Sequence, residues 1–491
     1  MKSSKHSITL PTHKTKIICT IGPSTRQQHQ IEQLILAGMN IARLNFSHGT
    51  LDEHYETIQN IKAASKKLGT IVPILADLPG VKIRIGKLEK EPVNLKAGDK
   101  VTLTTEELLG TSKLLPISYK KLPELVAKDQ PVFLSDGFIE LRVLEKTSTT
   151  IECEVIVGGA LLSHKGVNVP GNTIDIAPIT PTDLSIVEFG IQQGIDTYCI
   201  SFIQSPDDIA TLRRHAKQHE TDLYIIAKIE RGRALQNYSA ILESADGIMI
   251  ARGDLGVETP IEHVPLVQKQ LIKEANLIGK PIIVATQMLK SMTEHRRPTR
   301  AEVTDVANAI LDGTDAIMLS EETAIGSYPI DTVKMMVKIA STTEEKNTKD
   351  CLPNALEDQL QHNNTSHPLC IADVISLNAL KAQQILQPRY ILTPTDSGNT
   401  PRRISRFKPT SWILGFSKSQ STTSFLQFSY GVYPIYMPID EESWHPTLLP
   451  YLKENHLVKD GDIVLLTQGR FSQTEGGTDS LGIIKIGSKS T

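Results

Sequence analysis

From Lys16 onward, short β-rich apolar runs alternate with longer segments whose apolar residues recur at helical spacing, and this rhythm constrains the fold more than any other feature. The strand candidates are Lys16 to Ile21, Asn40 to Asn45, Ile71 to Ala76, Thr197 to Phe202, Leu223 to Ile229, Gly247 to Ala251, Pro281 to Ala285 and Ala316 to Leu319. Between them lie helix-period stretches. One carries Ile31, Leu34, Ile35 and Met39, another runs through Ile58 and Ile61, and a third is predicted over Asp183 to Gln193 with Thr182 as its cap. Parallel strands joined by helices need right-handed crossovers, and eight such units close naturally into a barrel.

The rhythm breaks once, between Pro79 and Pro170. That stretch holds short alternating strands, Lys100 to Leu103, Val132 to Leu134 and Ile151 to Val157, with turn signals at Ala97-Gly98-Asp99 and Ser135-Asp136-Gly137. The spacing predicts a small all-β domain over 81–170, inserted after the third barrel strand. The flanking pieces, 1–80 and 171–345, together hold about 255 residues, the size of one (β/α)8 barrel. Near Thr348 charged and amide-rich residues form a linker. Beyond it, a helix around Ile375 to Leu386 and strands at Tyr390 to Leu392, Trp412 to Gly415, Gly431 to Tyr436, Asp462 to Leu466 and Leu481 to Ile486 predict a further domain over 346–491. The expected class is α/β: a (β/α)8 TIM barrel with an inserted small all-β lid domain and a C-terminal α/β domain.

Composition removes several functions. With 52 basic and 55 acidic residues, the net charge of −3 disfavours nucleic acid as the main partner. No apolar run approaches the ~18 residues that span a membrane. The first fifteen residues carry Lys2, Lys5 and Lys14 without an apolar core, so they read as a loose tail rather than a secretory signal. Five scattered cysteines without a C-x-x-C pair point to a reducing, cytoplasmic setting and no structural zinc.

In such barrels the chemistry sits where the strands end. Here those ends read Arg43 to Gly49, Asp77, Ser201, Lys228-Ile229-Glu230, Arg252-Gly253-Asp254, Thr286-Gln287 and Ser320-Glu321-Glu322. A strand-end Lys alone is more often a solvated charge, and a lone carboxylate more often a helix cap. Seven converging polar ends are harder to explain that way. Strand alternation puts Lys228 and Glu230 on one face. Two carboxylates, Glu230 and Asp254, suit Mg²⁺, which takes a few protein oxygens and leaves room for phosphate and water. Lys228 and Arg43 facing the same spot suit a phosphoryl group in transfer. Gly253 permits a close backbone approach, and Thr286 offers a hydroxyl to a carboxylate. The residues alone argue for metal-assisted chemistry on a small anionic substrate.

Longer motifs make the reading specific. TKIICTIGPST from Thr15, GMNIARLNFSHG from Gly38, DLPGVKIRIG from Asp77, KGVNVPG from Lys165, IAKIE from Ile226, GIMIARGDLGVE from Gly247, ATQML from Ala285 and the long run from Arg297 resemble the pyruvate kinase family, bacterial type. The resemblance implies transfer of the phosphoryl group of phosphoenolpyruvate to ADP, giving pyruvate and ATP in the last step of glycolysis. It implies Mg²⁺, or Mn²⁺, on Glu230 and Asp254, and Lys228 and Arg43 on the phosphoryl group. Gly253, Asp254 and Thr286 would meet the substrate carboxylate, with Thr286 near the protonation step. Asn45, His48, Arg84 and Lys165 match positions that meet ADP, and Ser201 and Ser320 line the site. The insertion, bringing Arg84 and Lys165 from its two ends, becomes a lid that excludes water.

Many members hold K⁺ with oxygens matching Asn45, Ser47, Asp77 and the carbonyl of the next residue, here Leu78. The K⁺-dependent members carry Glu where Lys82 stands, so Lys82 beside Asp77 is expected to replace the ion and K⁺ not to be required. In the last domain, Thr393, Thr395, Ser397, Gly398, Asn399 and Thr400, followed by Arg402 and Arg403, match the family's effector loop. Gly469-Arg470 and Gly476-Gly477-Thr478 match its other wall. A sugar phosphate or a nucleotide monophosphate would suit such a loop; a plain β-to-α turn is the other reading. The resemblance also implies a homotetramer. Two alternatives remain at this point: a metal-dependent lyase of the aldolase type, in whose chemistry Arg84 and Lys165 have no use, and a non-catalytic effector sensor.

Overall fold

The computed structural model describes residues 8–170, 178–346, 370–438, 444–469 and 477–487. Eight parallel strands close into a barrel: β1 (Lys16–Thr20), β2 (Ile41–Asn45), β3 (Ile74–Asp77), β4 (Thr197–Ile200), β5 (Tyr224–Ile229), β6 (Gly247–Ala251), β7 (Ile282–Ala285) and β8 (Ala316–Leu319). The ring shuts where β1 meets β8, in a register running from Lys16 opposite Ala316 to Cys19 opposite Leu319. All eight expected strands form, with ends shifted by up to three residues. Phe202, for example, falls outside β4 because its backbone turns to φ 58°.

The helix expected over Asp183 to Gln193 runs instead from Pro181 to Gln192, capped by Thr180 rather than Thr182. Thr180 Oγ1 accepts from Asp183 N at 3.1 Å and Thr180 N donates to Asp183 Oδ2 at 2.8 Å. This reciprocal box, with Pro181 in the first turn where no N–H is needed, outcompetes Thr182 as the helix start.

The insertion forms a six-stranded sheet and a separate two-stranded pair around its own core, which includes Leu103, Leu115, Val132, Leu141 and Ile151. Its entry and exit run side by side. Arg84 and Gly166 form an antiparallel bridge, and Ile85 N donates to Lys165 O at 2.8 Å. The two chain crossings into the barrel thus form one narrow ribbon.

The last domain has a helix (Ile371–Leu386), longer at its start than expected, and five strands: β9 (Tyr390–Pro394), β10 (Trp412–Ser417), β11 (Val432–Tyr436), β12 (Ile463–Gln468) and β13 (Ser480–Lys485). They lie in the order β11-β10-β9-β12-β13, with only β13 antiparallel. The linker expected near Thr348 falls outside the described residues.

This domain covers the face of the barrel where strands begin. Lys16 Nζ donates to Val432 O at 2.6 Å, Tyr430 N to Asp315 Oδ1 at 3.0 Å, and Gln427 Nε2 to Ile71 O at 3.0 Å. Phe425 and Phe428 are fully buried in one cluster with the barrel-lining Ile18, Leu75, Ile226 and Met249. Phe425 also stacks on Tyr224, centroids 4.1 Å apart. The floor is therefore sealed with apolar side chains, and the strand-end mouth is the face left for chemistry.

Gly190 gives a test of how tightly the wall is packed. A Cβ there would meet Tyr198 Oη at 2.1 Å, and that hydroxyl donates to Val187 O and Ile195 O. Although alanine favours a helix over glycine by up to about 1 kcal/mol, overpacking costs about 1–3 kcal/mol. Gly190→Ala is expected to lower the thermal midpoint. Adding Tyr198→Phe should return the double variant to near the level of Tyr198→Phe alone, and additive losses would refute the steric account.

Candidate active site

At the mouth, strand ends far apart in sequence place buried charges in contact. Arg43, from β2, donates through Nε and Nη2 to Asp77 Oδ2, at 2.8 and 2.5 Å, and through Nη1 to Thr20 Oγ1 at 2.8 Å. Lys228, from β5, lies 2.8 Å from Glu230 Oε1 and 3.5 Å from Asp77 Oδ1, and donates to Ser201 Oγ at 2.9 Å. Ser201 Oγ in turn donates a hydrogen bond to Leu78 O at 2.7 Å. Phe202 N donates to Glu230 Oε2 at 2.8 Å. Two cations and two carboxylates thus alternate, as buried charges must to offset their desolvation.

Burial alone would raise the Asp77 pKa, but Lys228 and Arg43 together hold it below the usual carboxylate range. Burial would likewise neutralise Lys228, yet Asp77 and Glu230 keep it well above the ordinary lysine range. Glu230 differs. Burial, with Asp254 adding repulsion, pushes it above the usual range in spite of Lys228. Its Oε1 is closed to solvent and receives no hydrogen bond; the Lys228 ammonium beside it is an ion pair without hydrogen-bond alignment. Glu230 is the one member of the cluster still short of positive charge.

Asp254 sits on the short helix Arg252–Glu258, directly after β6. Gly253 N donates to Thr286 Oγ1 at 3.0 Å, joining the β6 and β7 ends. Thr286 and Gln287 are both left-handed, at φ 72° and 56°, a strained arrangement for these residue types. Arg252 clamps it by donating to Thr286 O at 3.0 Å while pairing with Asp305 at 2.7 Å. Ser320 N, at the end of β8, donates to Glu322 Oε2 at 2.7 Å.

Lys82 corrects one expectation. Its ammonium does not stand beside Asp77; it lies 2.7 Å from Asp254 Oδ1 and 3.6 Å from Asp136 Oδ1 of the inserted domain. The reason is charge balance. Asp77 already has Arg43 and Lys228, whereas Asp254 and Asp136 have no nearer cation, and together they hold Lys82 above its ordinary range against its burial. Of the oxygens expected for K⁺, those of Asp77 and the Leu78 carbonyl already accept hydrogen bonds, Asn45 Oδ1 accepts from Ser47 N at 3.2 Å, and Ser47 is exposed.

The nucleotide candidates cluster at the rim. Arg84 Nη1 donates to His164 O at 3.0 Å, with the exposed Lys165 on the adjoining strand. Burial, followed by the charges of Arg84 and Arg43, presses the His48 imidazole below its ordinary range, which puts His48 in their company. Two further contributors were not in the sequence reading. Thr20 ends β1, the one strand whose end was not considered. Asp136 was visible only as a turn residue.

The effector loop is partly assembled. Thr395 Oγ1 accepts from Gly398 N at 2.8 Å, Gly398 is left-handed at φ 76°, and the hydroxyls of Thr400 and Thr478 bond to each other. Ser397 and Asn399 are exposed. Thr393 and Arg403 do not face the loop, whereas Arg402 Nη2 donates to Asn399 Oδ1 at 2.5 Å. Thr393 Oγ1 donates to Leu414 O at 3.2 Å within the sheet. Arg403 pairs with Asp373, and Arg402 lies over the Phe425 ring at 5.3 Å. Buried Asp373 competes successfully for Arg403. Arg470 and Gly476 lie outside the described residues.

Residues 12–333 match the family model of the pyruvate kinase barrel domain, and residues 373–484 that of the pyruvate kinase alpha/beta domain. The chain belongs to the pyruvate kinase family. It is 50% identical to a pyruvate kinase of Thermococcus litoralis over 479 residues, covering 97% of this chain and 99% of that one. It is 41% identical to one from Geobacillus stearothermophilus, over 96% of this chain and 80% of that one. The crystal structure of a pyruvate kinase from Cryptosporidium parvum superposes with a TM-score of 0.88 at 34% identity, covering 96% of both chains. The chain is accordingly a phosphotransferase that makes pyruvate and ATP from phosphoenolpyruvate and ADP, and the lyase and sensor alternatives fall away. Pyruvate kinases are generally metal-dependent. No described helix is long and apolar enough to cross a membrane.

Asp77→Asn would leave Arg43 and Lys228 buried without their shared counter-ion. Breaking such a pair costs about 3–5 kcal/mol. The variant is expected to lose that much stability in denaturant titration, and a variant as stable as the parent would show that Asp77 does not hold the cluster.

Proposed function

We propose that the alternating charge cluster at the barrel mouth is the phosphoryl-transfer site, with the roles that follow. The supporting observation is the buried pair Lys228–Glu230 at the strand ends, in which Glu230 is under-compensated. Glu230 and Asp254 would hold Mg²⁺, or Mn²⁺; two hard oxygen donors, one resisting its own charge, fit a divalent cation. When bound, the ion would supply positive charge that stabilises the transferring phosphoryl group.

The chain's own residues do the rest. Gly253 N–H and the Thr286 hydroxyl, already joined to each other, bind the substrate carboxylate and fix its orientation. Lys228 and Arg43 face the phosphoryl group, whose charge spreads over its outer oxygens in transfer. Their positions are preset by Asp77 and Thr20, so little reorganisation is needed as that charge develops. The bond from phosphorus to the enol oxygen breaks, a bond to the terminal ADP oxygen forms, and the enolate carbon then takes a proton close to Thr286. Asn45, His48, Arg84 and Lys165 meet ADP. The narrow ribbon at Arg84 and Gly166 lets the inserted domain swing over the nucleotide, excluding the water that would hydrolyse the phosphoryl group.

The finer partners belong to the same proposal. Thr395, Ser397, Gly398, Asn399, Thr400 and Thr478 are the remaining candidates for a sugar-phosphate or nucleotide-monophosphate effector. Exposed Ile371, Val374 and Ile385 lie on one helix of the last domain, apolar surface that a homotetramer would cover. A cytoplasmic location fits the scattered thiols.

The coupled assay for pyruvate should depend on phosphoenolpyruvate, ADP and a divalent metal together, with activity lost to a chelator and restored by Mg²⁺. Lys228→Met is expected to lower kcat by at least about 10²–10³ while leaving phosphoenolpyruvate binding within a few-fold. A retained rate would refute the role given to Lys228.

We also infer that K⁺ is not required, now for a different reason than proximity to Asp77. Lys82 brings a fixed positive charge among Asp254, Asp136 and Glu230, lowering the negative potential that a monovalent ion would otherwise relieve. Assay in K⁺-free buffer should give nearly full activity. Activation of about ten-fold or more on adding K⁺, equivalent to about 1.4 kcal/mol, would overturn this.

A further inference from the structure

We propose that Glu188, His215 and His219 form a site for one divalent transition-metal ion of the zinc class on the outer wall of the barrel. Glu188 lies on the helix Pro181–Gln192 that leads into β4, and His215 on the helix Pro206–Gln218 that leaves it. His219 ends the second helix. Spaced four apart, the two histidines lie on one face, a turn from each other.

The three side chains already converge. Nε2 of His215 is 3.2 Å, and Nε2 of His219 3.7 Å, from the same oxygen, Oε1 of Glu188. All three donor atoms lie within 4.8 Å of one another. Zinc ligands at ~2.0–2.1 Å in a tetrahedron stand about 3.3 Å apart, so closing the imidazoles slightly completes three corners. The fourth is left for water.

An ordinary ion pair between the helices accounts for this less well. One carboxylate oxygen cannot neutralise two imidazoliums. His215 Nε2 is closed to solvent and makes no hydrogen bond despite its nearness to Glu188. A buried nitrogen without a partner carries a desolvation cost. A cation between the lone pair and the carboxylate removes that cost. The site also sits at the C-terminal end of the His215 helix, where free carbonyls favour positive charge.

The donor set selects the metal. Two imidazoles and one carboxylate suit Zn²⁺, Co²⁺, Ni²⁺ or Cu²⁺, whereas Mg²⁺ prefers oxygen alone. The site therefore does not compete with the mouth for Mg²⁺. No thiolate is needed, so the scattered cysteines do not bear on it. Helices antiparallel to their strands end near the strand starts, which puts the cluster toward the floor, away from the reaction. Its consequence is structural: one ion pins together the two helices that flank β4.

The test uses the 491-residue chain, stripped with a chelator and kept in excess Mg²⁺, with Cys370→Ser removing the thiol exposed among the described residues. Titration with Co²⁺ should give a visible d–d absorption saturating at one ion per chain, and Zn²⁺ should raise the thermal midpoint, as any ligand of the native state does. In His215→Ala/His219→Ala the absorption and the thermal shift should vanish while pyruvate kinase activity without added transition metal stays within two-fold. Glu188→Gln, which preserves size and helix, should weaken Co²⁺ binding at least ten-fold. Unchanged stoichiometry and affinity in these variants, or no Co²⁺ bound to the parent, would overturn the proposal.

Discussion

Closure of the parallel barrel is the constraint on which the rest depends. Each strand contributes one or two polar residues at its end, and none of them is a site alone. The hydrogen bonds between β1 and β8 close the ring, and closure forces Arg43, Asp77, Lys228, Glu230 and Asp254 around a single mouth. The other end is sealed by Phe425 and Phe428 from the last domain. Apolar packing at the floor and charge at the mouth thus divide one cylinder between stability and chemistry.

The electrostatics of the mouth follow from burial. Asp77 has cations to spare, and its depressed pKa leaves Arg43 and Lys228 fixed and charged. Glu230 has the opposite balance, and its raised pKa marks where additional positive charge would be accepted. Lys82 links this cluster to the inserted domain, since its ammonium lies between Asp254 of the barrel and Asp136 of the insertion.

The elements of the fold were legible because their signals are local. Helical periodicity and short apolar runs follow from backbone geometry, and all eight strands were found from them. Ends were less legible: Thr180 rather than Thr182 caps its helix because a proline and a reciprocal hydrogen-bond box decide between two equally suitable threonines. The strand-end residues were legible through the barrel rule, and Lys228 with Glu230 through alternation. Lys82 was not, since its partner depends on which carboxylates remain unneutralised after the ring has closed. Arg403 was misread for the same reason. A basic residue beside a hydroxyl-rich loop looks like an anion site until Asp373, on another helix, claims it.

The sequence by itself determined the strand count, the place of the insertion, the family and the residue types at the mouth, because motif and periodicity are properties of neighbours along the chain. Only the tertiary structure decided who pairs with whom: Arg43 and Lys228 with Asp77, Lys82 with Asp254, and Glu188 with two histidines of another helix. Coulomb energy depends on distance and burial, and both are fixed by packing between segments that the linear sequence keeps apart.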